Sequence, residues 1–558
     1  MEMTAAATAG PATVSARSVR ELRQILLWPL QVMTLNGTAR IPNHWEALER
    51  PGPDNPWEEL EDEFGDPEEF QERHYGEFVA FLPQVQRFLY GQGLGKRVRK
   101  VYGESPIRVF RRRDVASVRV TLTRNAPPLE LAVVHVDLYF FYDTDLFILA
   151  LELQGRDLPL DVVQEMMFRF GRAYPASWTE DGEPVNCPHE VQWLDAAGRI
   201  LAASDYERRE KYLSFVCRHR APCISSHWEF LLRPLVLHHL DETGTTRFRQ
   251  LEYYRMPVLA YLAVNDPDAL TRADYVRLAF LTRPGDPDTL PFAARYLEDF
   301  ESRHCYDRYR EEQVRHEWSN TRLMCSNHVL VMVGSAADDF FTDTERGLLG
   351  QFRHQYFLLA LIVHFHRAAL LQLSDRLIVA VSQLDIESTD SVRAFRRSVR
   401  QTFEIFLRFT HRYWFHEISN QVPMRDLFSL WRKHLAVEDL YGEVREELQD
   451  MNQYLDSDVF RRHSNTMLRL TVVTIVGLIG TITTGFLGMN LLAEAEAPLQ
   501  RRIWYFTATF VLTTAITFWS VMKSRRLSEL LDALADERVG ARQRWRAFVS
   551  LWGRKKAA

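Results

Sequence analysis

The sequence predicts an α+β domain that leads through a long helical stalk into two transmembrane α-helices, and three observations predict it. β-branched and aromatic residues cluster between turn signals over residues 107–154, as they do in strands. Proline is absent between Pro291 and Pro423 and again between Pro423 and Pro498, which leaves room for long uninterrupted helices. Two late runs, Leu470–Ala493 and Ile503–Met522, carry no charged residue at all.

The chain divides from its N-terminus as follows. Its 558 residues exceed one ordinary domain. Residues 1–100 form an N-terminal extension. It opens on a small, polar stretch at 1–16, and its segment Pro51–Glu72 is rich in Asp and Glu and has no Lys or Arg. That segment reads as a solvated chain, with a cation-attracting surface as the functional alternative, since hard divalent ions prefer carboxylate oxygen. The apolar stretch Ile25–Leu30 is too short for a signal core and is broken by Pro29, so the bulk of the chain is expected in the cytoplasm. Residues 101–343 form a cytoplasmic α+β domain, with strands at Ile107–Arg111, Ala116–Thr123, Leu129–Tyr142 and Leu146–Gln154 of a largely antiparallel sheet, then a helix over Leu158–Tyr174. Residues 175–290 are mixed, and the pattern does not order their elements. After Pro291 the chain reads as long helices, notably Thr344–Leu384 and Asp390–Ser419, and residues 344–466 form the helical stalk. A continuous helix over Val437–Leu491 spans roughly 80 Å and needs lateral partners to be stable.

Residues 467–526 are the membrane part. At 1.5 Å per residue the two uncharged runs measure roughly 36 and 30 Å, enough for a hydrocarbon core of about 30 Å. Phe357–Val363, by contrast, is soon interrupted by His364, His366 and Arg367 and reads as a buried helix. Arg461, Arg462 and Arg469 precede the first span and Lys523, Arg525 and Arg526 follow the second, against Arg501 and Arg502 between them. That balance puts both termini in the cytoplasm. Trp504, Tyr505 and Trp519 sit near the ends of the second span, where an interfacial aromatic belt belongs. Residues 527–558 are a basic cytoplasmic tail.

Composition excludes several functions. The net charge of −6 argues against a general nucleic-acid binder. There is no Gly-x-x-x-x-Gly-Lys-Ser/Thr loop for nucleotide-driven pumping, and no catalytic constellation stands out, so an enzyme is not expected. The five cysteines form no disulfide framework. Cys187, Cys217 and Cys223, with His189 and His219, offer soft ligands of the kind zinc takes, but their spacing matches no standard finger. Buried structural cysteines are the plainer reading.

The first uncharged run ends on Thr484-Gly485-Phe486-Leu487-Gly488-Met489-Asn490. Gly488-Met489-Asn490, at the outer end of the first of two C-terminal membrane helices behind a large soluble domain, resembles the CorA family of magnesium transporters. The resemblance covers roughly residues 437–526. It implies a CorA-like funnel, a homopentamer in the bacterial inner membrane whose first spans line a pore for divalent cations, Mg²⁺ foremost. Gly488, Met489 and Asn490 would then be the outer selectivity ring and Mg²⁺ the cargo, with no resident cofactor. The chemistry agrees: Mg²⁺ gives up inner waters reluctantly, and the Asn490 amide carbonyl is a neutral acceptor suited to a hydrated ion. Gly488 is expected to let the chain leave the helix or approach a neighbour closely.

Met467, Leu470, Thr474, Leu478, Thr481 and Gly485 follow one another at steps of three and four, so they form one stripe on a helix leading to Gly488. Apolar rings there gate by dewetting and hydroxyl rings hold a hydrated ion, unless the threonines merely bond their own helix. By resemblance Thr481 matches the family's pore threonine, and Leu470 and Leu478 its hydrophobic constriction. Gly477 and Gly480 face elsewhere and suit close helix packing. Glu494 and Glu496 in the following loop would draw cations in. Asp450, Asp456 and Asp458 below the pore are candidates for regulatory Mg²⁺ sensing, with a solvated helix surface as the plainer reading.

This sequence departs from the family pattern in having Leu487 before Gly-Met-Asn, in the loop Leu491–Pro498, and in its long soluble part. A zinc or other transition-metal transporter of the same superfamily and a non-transporting membrane-anchored sensor or scaffold therefore stay open beside the Mg²⁺ channel.

Overall fold

The computed structural model describes residues 17–33, 45, 48, 55–60, 72–91, 106–141, 144–239, 246–252, 255–310, 320–385, 388–493, 498–501, 503–505, 507–509, 511–516 and 519. Of 72–73, 389, 456–465, 479, 482–483 and 486–493 it describes the backbone alone. The chain forms two compact units, Met1–Glu446 and Glu447–Ala558.

The first unit is built on one mixed sheet. Its strands are β1 (Ser18–Met33), β2 (Trp57–Glu59), β3 (Ile107–Arg112), β4 (Ser117–Thr121), β5 (Leu129–Phe141), β6 (Leu146–Pro159), β7 (Glu190–Leu194), β8 (Ile200–Ala203), β9 (Val236–Leu237), β10 (Arg247–Gln250), β11 (Val258–Val264), β12 (Cys305–Tyr306), β13 (Arg322–Ser326) and β14 (Val329–Ser335). The main order is β12-β13-β14-β11-β1-β6-β5-β4-β7-β8, with β10 also on β1 and β3 also on β5. Pairing is antiparallel except at β11–β14 and β9–β10.

β1 is the central strand, which corrects the reading of residues 1–100 as an extension outside the α+β domain. It pairs with β6 from Ser18 to Gln31, and on its other edge with β11 and then β10. Pro29 is tolerated there for a geometric reason. The N–H of Leu27 points to the β11 edge, where it bonds the Pro257 carbonyl. Two residues on, Pro29 faces the same edge, in the gap between the last β11 pair at Leu26 and the first β10 pair at Leu30. The missing donor falls where the ladder changes partner.

Both faces of the central strands are covered, so β11, β14 and the stretches Ile25–Leu30 of β1 and Leu146–Leu151 of β6 read as near-continuous apolar runs. On one face Leu22, Leu26, Trp28 and Leu30 join a core that includes Leu160, Met166, Met167 and Trp228. On the other lies the helical run Leu348–Ser382, which packs on β1 and β6. It begins with the helix Leu348–Gln351, passes through a π-helical segment Phe352–Tyr356 and continues as the α-helix Phe357–Ser382. Phe365 stacks on Phe141 at 4.1 Å between ring centroids. The π segment is pinned by polar groups: Arg353 Nε donates to Glu152 at 2.7 Å, and His354 Nδ1 lies 3.0 Å from Glu77. π-bulges of this kind re-aim side chains that a regular helix would direct elsewhere.

The expected strands at 107–154 lie within a few residues of β3 to β6. The helix expected over Leu158–Tyr174 is shorter, Leu160–Arg169. Two expectations are corrected. The proline-free stretch after Pro291 is not all helical, since β12, β13 and β14 fall inside it. The acidic segment is not unstructured throughout, because Glu58 and Glu59 lie in β2 and pair with Arg113, just after β3, and Arg108, within it, at 3.1 and 2.7 Å. Residues 1–16, 61–71 and the tail 527–558 lie outside the described residues. The observed division after Glu446 also differs from the boundaries at 343 and 466.

After the helices Thr389–Arg412 and Val422–His434, the chain turns at Leu435 and Ala436 into the helix Val437–Ala493, of 57 residues. Ala436 takes a left-handed backbone conformation, φ 49°, which a side chain with Cβ adopts at a cost. The turn is held by Arg367, whose Nη1 donates to the Leu435 carbonyl at 2.5 Å.

Candidate functional site

Every described residue of the expected pathway sits on the helix Val437–Ala493, so its geometry follows from that helix. Glu438 and Asp439 occupy its first turn, where carboxylates complement the helix dipole. Glu438 also meets the buried Arg432 at 2.6 Å, and Tyr441 stacks on Trp414 at 4.3 Å. Val437 and Val444 are fully buried, whereas Asp450 is exposed. The side chains of Asp456 and Asp458 lie outside the described residues, as do Glu494 and Glu496 entirely.

Within the second unit the stripe is open. Met467, Leu470 and Leu478 are 67%, 62% and 59% exposed, and Thr474, Thr481 and Gly485 are exposed beside them. At 3.6 residues per turn these six positions fall within a sector of roughly 80°. Val472, on another face of the helix, is buried. Gly480 also lies off the stripe, and there a helical segment comes close: a Cβ at Gly480 would meet Thr513 Cγ2 at 2.5 Å. Nothing approaches within 4 Å of the corresponding point at Gly477 or Gly485. The close-packing role expected for Gly480 is thus seen; Gly477 has open space.

The two stripe threonines bond their own helix, the plainer of the two expectations. Thr474 Oγ1 donates to the Leu470 carbonyl at 2.8 Å and Thr481 Oγ1 to the Gly477 carbonyl at 2.9 Å. With its proton directed at the backbone, each hydroxyl oxygen keeps lone pairs that act only as acceptors. Water bound to a cation offers donors, so this arrangement complements a hydrated cation.

Gly488, Met489 and Asn490 are helical, and the helix runs on to Ala493. This corrects the expectation that the chain leaves the helix at Gly488. No charged residue or proline interrupts the run before Glu494, so each N–H still finds its carbonyl four residues back. The side chains of Met489 and Asn490 lie outside the described residues. In the second predicted span, 503–522, the described residues 503–505, 507–509, 511–516 and 519 are helical.

Cys187, Cys223 and Cys325 behave as core residues. Cys187 and Cys223 are buried, and burial pushes both thiols up to about 12, while Cys217 is exposed. Among the described residues no group of three or more His, Cys, Asp or Glu is arranged to hold a metal ion. Sequence reasoning missed the buried ionic node in which Arg23 and Arg353 both reach Glu152, at 3.2 and 2.7 Å. Its members are over a hundred residues apart, and no local pattern joins them.

Residues 346–526, about a third of the chain, match the family model described as CorA-like Mg²⁺ transporter protein. No curated protein and no solved structure matches the chain. The match begins just before the helix at Leu348, so it takes in the long helices and leaves out the sheet. Members of this family are membrane-embedded transporters rather than enzymes, and the family suggests a divalent cation as the cargo. Over residues 346–526 the chain is thus similar to the CorA-like Mg²⁺ transporter family.

Proposed function

We propose that this protein is a channel for hydrated divalent cations, Mg²⁺ before others, in a bacterial inner membrane with both termini cytoplasmic. The observation that carries the reading is the open stripe Met467, Leu470, Thr474, Leu478, Thr481 and Gly485 on one face of a helix inside the family match. Large apolar groups left open to this extent on one helix call for a covering surface, and copies of the same helix around an axis supply one. In a homopentamer each apolar position becomes a ring that dewets, and each threonine a ring of acceptor oxygens. Gly488, Met489 and Asn490 then form the outer filter, with Glu494 and Glu496 raising the local cation concentration. Asp450, Asp456 and Asp458 take the role of regulatory carboxylates, which carboxylate-to-alanine variants test: inhibition by internal Mg²⁺ that persists unchanged removes that role.

The decisive experiment is uptake into proteoliposomes with Mg²⁺, Co²⁺, Ni²⁺ and Zn²⁺, comparing the wild type with Asn490→Ala. Mg²⁺ flux that vanishes in the variant supports the reading. Zn²⁺ flux alone moves the protein to a transition-metal carrier, and no flux from intact oligomers makes it a sensor or scaffold.

A further inference from the structure

The turn into the helix Val437–Ala493 carries a second device, built from two histidines distant in sequence. His434 is the last residue of the helix Val422–His434, and His304 the last of the short helix Phe300–His304. Their rings stack at 4.4 Å between centroids and 13° between planes. Each is held by a backbone carbonyl: His304 Nδ1 donates to Cys325 O and His434 Nε2 donates to Arg303 O, both at 2.9 Å. These bonds set the neutral tautomers and leave His304 Nε2 and His434 Nδ1 as the atoms that take up protons. Phe280 and Phe300 border the His304 ring at 4.8 and 5.8 Å.

We propose that the stacked His304–His434 pair is an acid-released latch on the turn that leads into the helix Val437–Ala493. Two imidazolium cations stacked at this distance repel, and their charged neighbours oppose protonation further. Arg303 flanks His304, and Lys433 flanks His434. The carboxylates of the elements packed here are already engaged: Glu301 by Arg272, Asp307 by Arg322, Asp299 by Arg303, and Asp426 by Arg425 and Tyr306. Arg432 is occupied by the Phe415 carbonyl and Glu438, and the Cys325 thiol by the Ser326 carbonyl. Cys305 completes the set, its thiol pushed up to about 12 by burial.

Burial holds both histidines below the ordinary imidazole value, although the carbonyl bonds pull the other way. The closed turn therefore keeps them neutral while an opened turn takes up protons. Closure is fully favoured above about pH 6.5 and is lost as the pH falls below it. When the pair parts, His434 no longer ties the end of its helix to residues 300–304, and the left-handed Ala436 two residues on is free to relax.

The test is hydrogen–deuterium exchange of residues 430–446 in the purified full-length protein, at about pH 7.5 and about pH 5.5, corrected for intrinsic exchange. Protection is expected to fall about tenfold in the wild type, the order of effect of one proton taken up over one pH unit. In His304→Gln/His434→Gln, which keeps amide donors but does not titrate, protection stays the same at both values. The single variant His434→Gln gives an intermediate loss and serves if the double variant does not fold. A wild type equally protected at both values overturns the latch, and so does a double variant, or a single one standing in for it, that keeps the full tenfold fall. The readout is backbone protection rather than ion flux, so its failure is distinct from failure of the transport reading.

Discussion

Two apolar helical stretches in this protein have opposite surroundings. Leu348–Ser382 is long and apolar enough to cross a membrane, yet most of it is buried within the first unit, with Leu361, Ile362 and Phe365 fully enclosed. Residues 466–485 are equally apolar but leave Met467, Leu470, Ile475 and Leu478 more than half exposed. The first has its partner in the sheet, where β1 and β6 offer an apolar face. The second has no such cover among the described residues of its own unit. Apolar length marks a helix that has to be covered, and tertiary structure decides whether the cover comes from the same chain.

The largest test of this contrast is a polar group placed in each helix. Leu361→Asp buries an unpaired carboxylate and is expected to cost more than about 4 kcal/mol, enough to unfold the first unit. Leu470→Asn should change cation uptake while shifting that unit's stability by less than about 0.5 kcal/mol. Denaturant unfolding followed by tryptophan fluorescence measures both, and equal losses would break the contrast.

Next in size is the ionic node that anchors the buried helix. Glu152→Ala leaves Arg23 and Arg353 without their shared carboxylate and is expected to cost about 3 kcal/mol by the same assay. A cost below about 1 kcal/mol would mean the arginines find other partners.

On the second helix, Gly480→Ala drives a Cβ to 2.5 Å from the Thr513 methyl group. Overpacking of that size costs about 1–2 kcal/mol, and Thr513→Ala should restore much of it. Thermal stability of the purified protein reads the pair, and a lack of rescue would show that the close approach is not what limits packing there.

The effect that is smallest near neutral pH is a pH dependence confined to the buried helix. His366 is fully buried, with Nε2 donating to the Tyr413 carbonyl, and burial pushes its pKa down to about 3. The unfolded chain takes up a proton below about pH 6.5 while the folded chain does not, so this stability is present above that value and is lost as the pH falls towards 3. His366→Gln should flatten the acid side of the stability profile; an unchanged profile would assign the acid loss to other groups.

How much could be read beforehand depended on whether the signal was local. β5 and β6 stood out because long runs of β-branched and aromatic residues flank a tight turn. The helix Val437–Ala493 stood out because nothing in its sequence stops it, and its predicted end at Leu491 was two residues short. β1 did not stand out, since Pro29 argues against a central strand until the change of partner at that point is known. β7 to β10 are two to five residues each, too short to show a period. β13 and β14 were hidden in a proline-free interval that looked helical. Within the candidate site the stripe was legible from its three- and four-residue steps, but the bonds that turn Thr474 and Thr481 into acceptors were visible only in the helix itself.

By itself, then, the sequence determined the long helix, the face that Met467, Leu470, Thr474, Leu478, Thr481 and Gly485 share, and the need for both apolar helices to be covered. These follow from periodicity and charge, which act between neighbours along the chain. Only the tertiary structure decided that Leu348–Ser382 is covered by the sheet, that β1 is central, and that His304 meets His434 at the turn. Those outcomes depend on contacts between residues tens to hundreds of positions apart, whose free energy no local window of sequence contains.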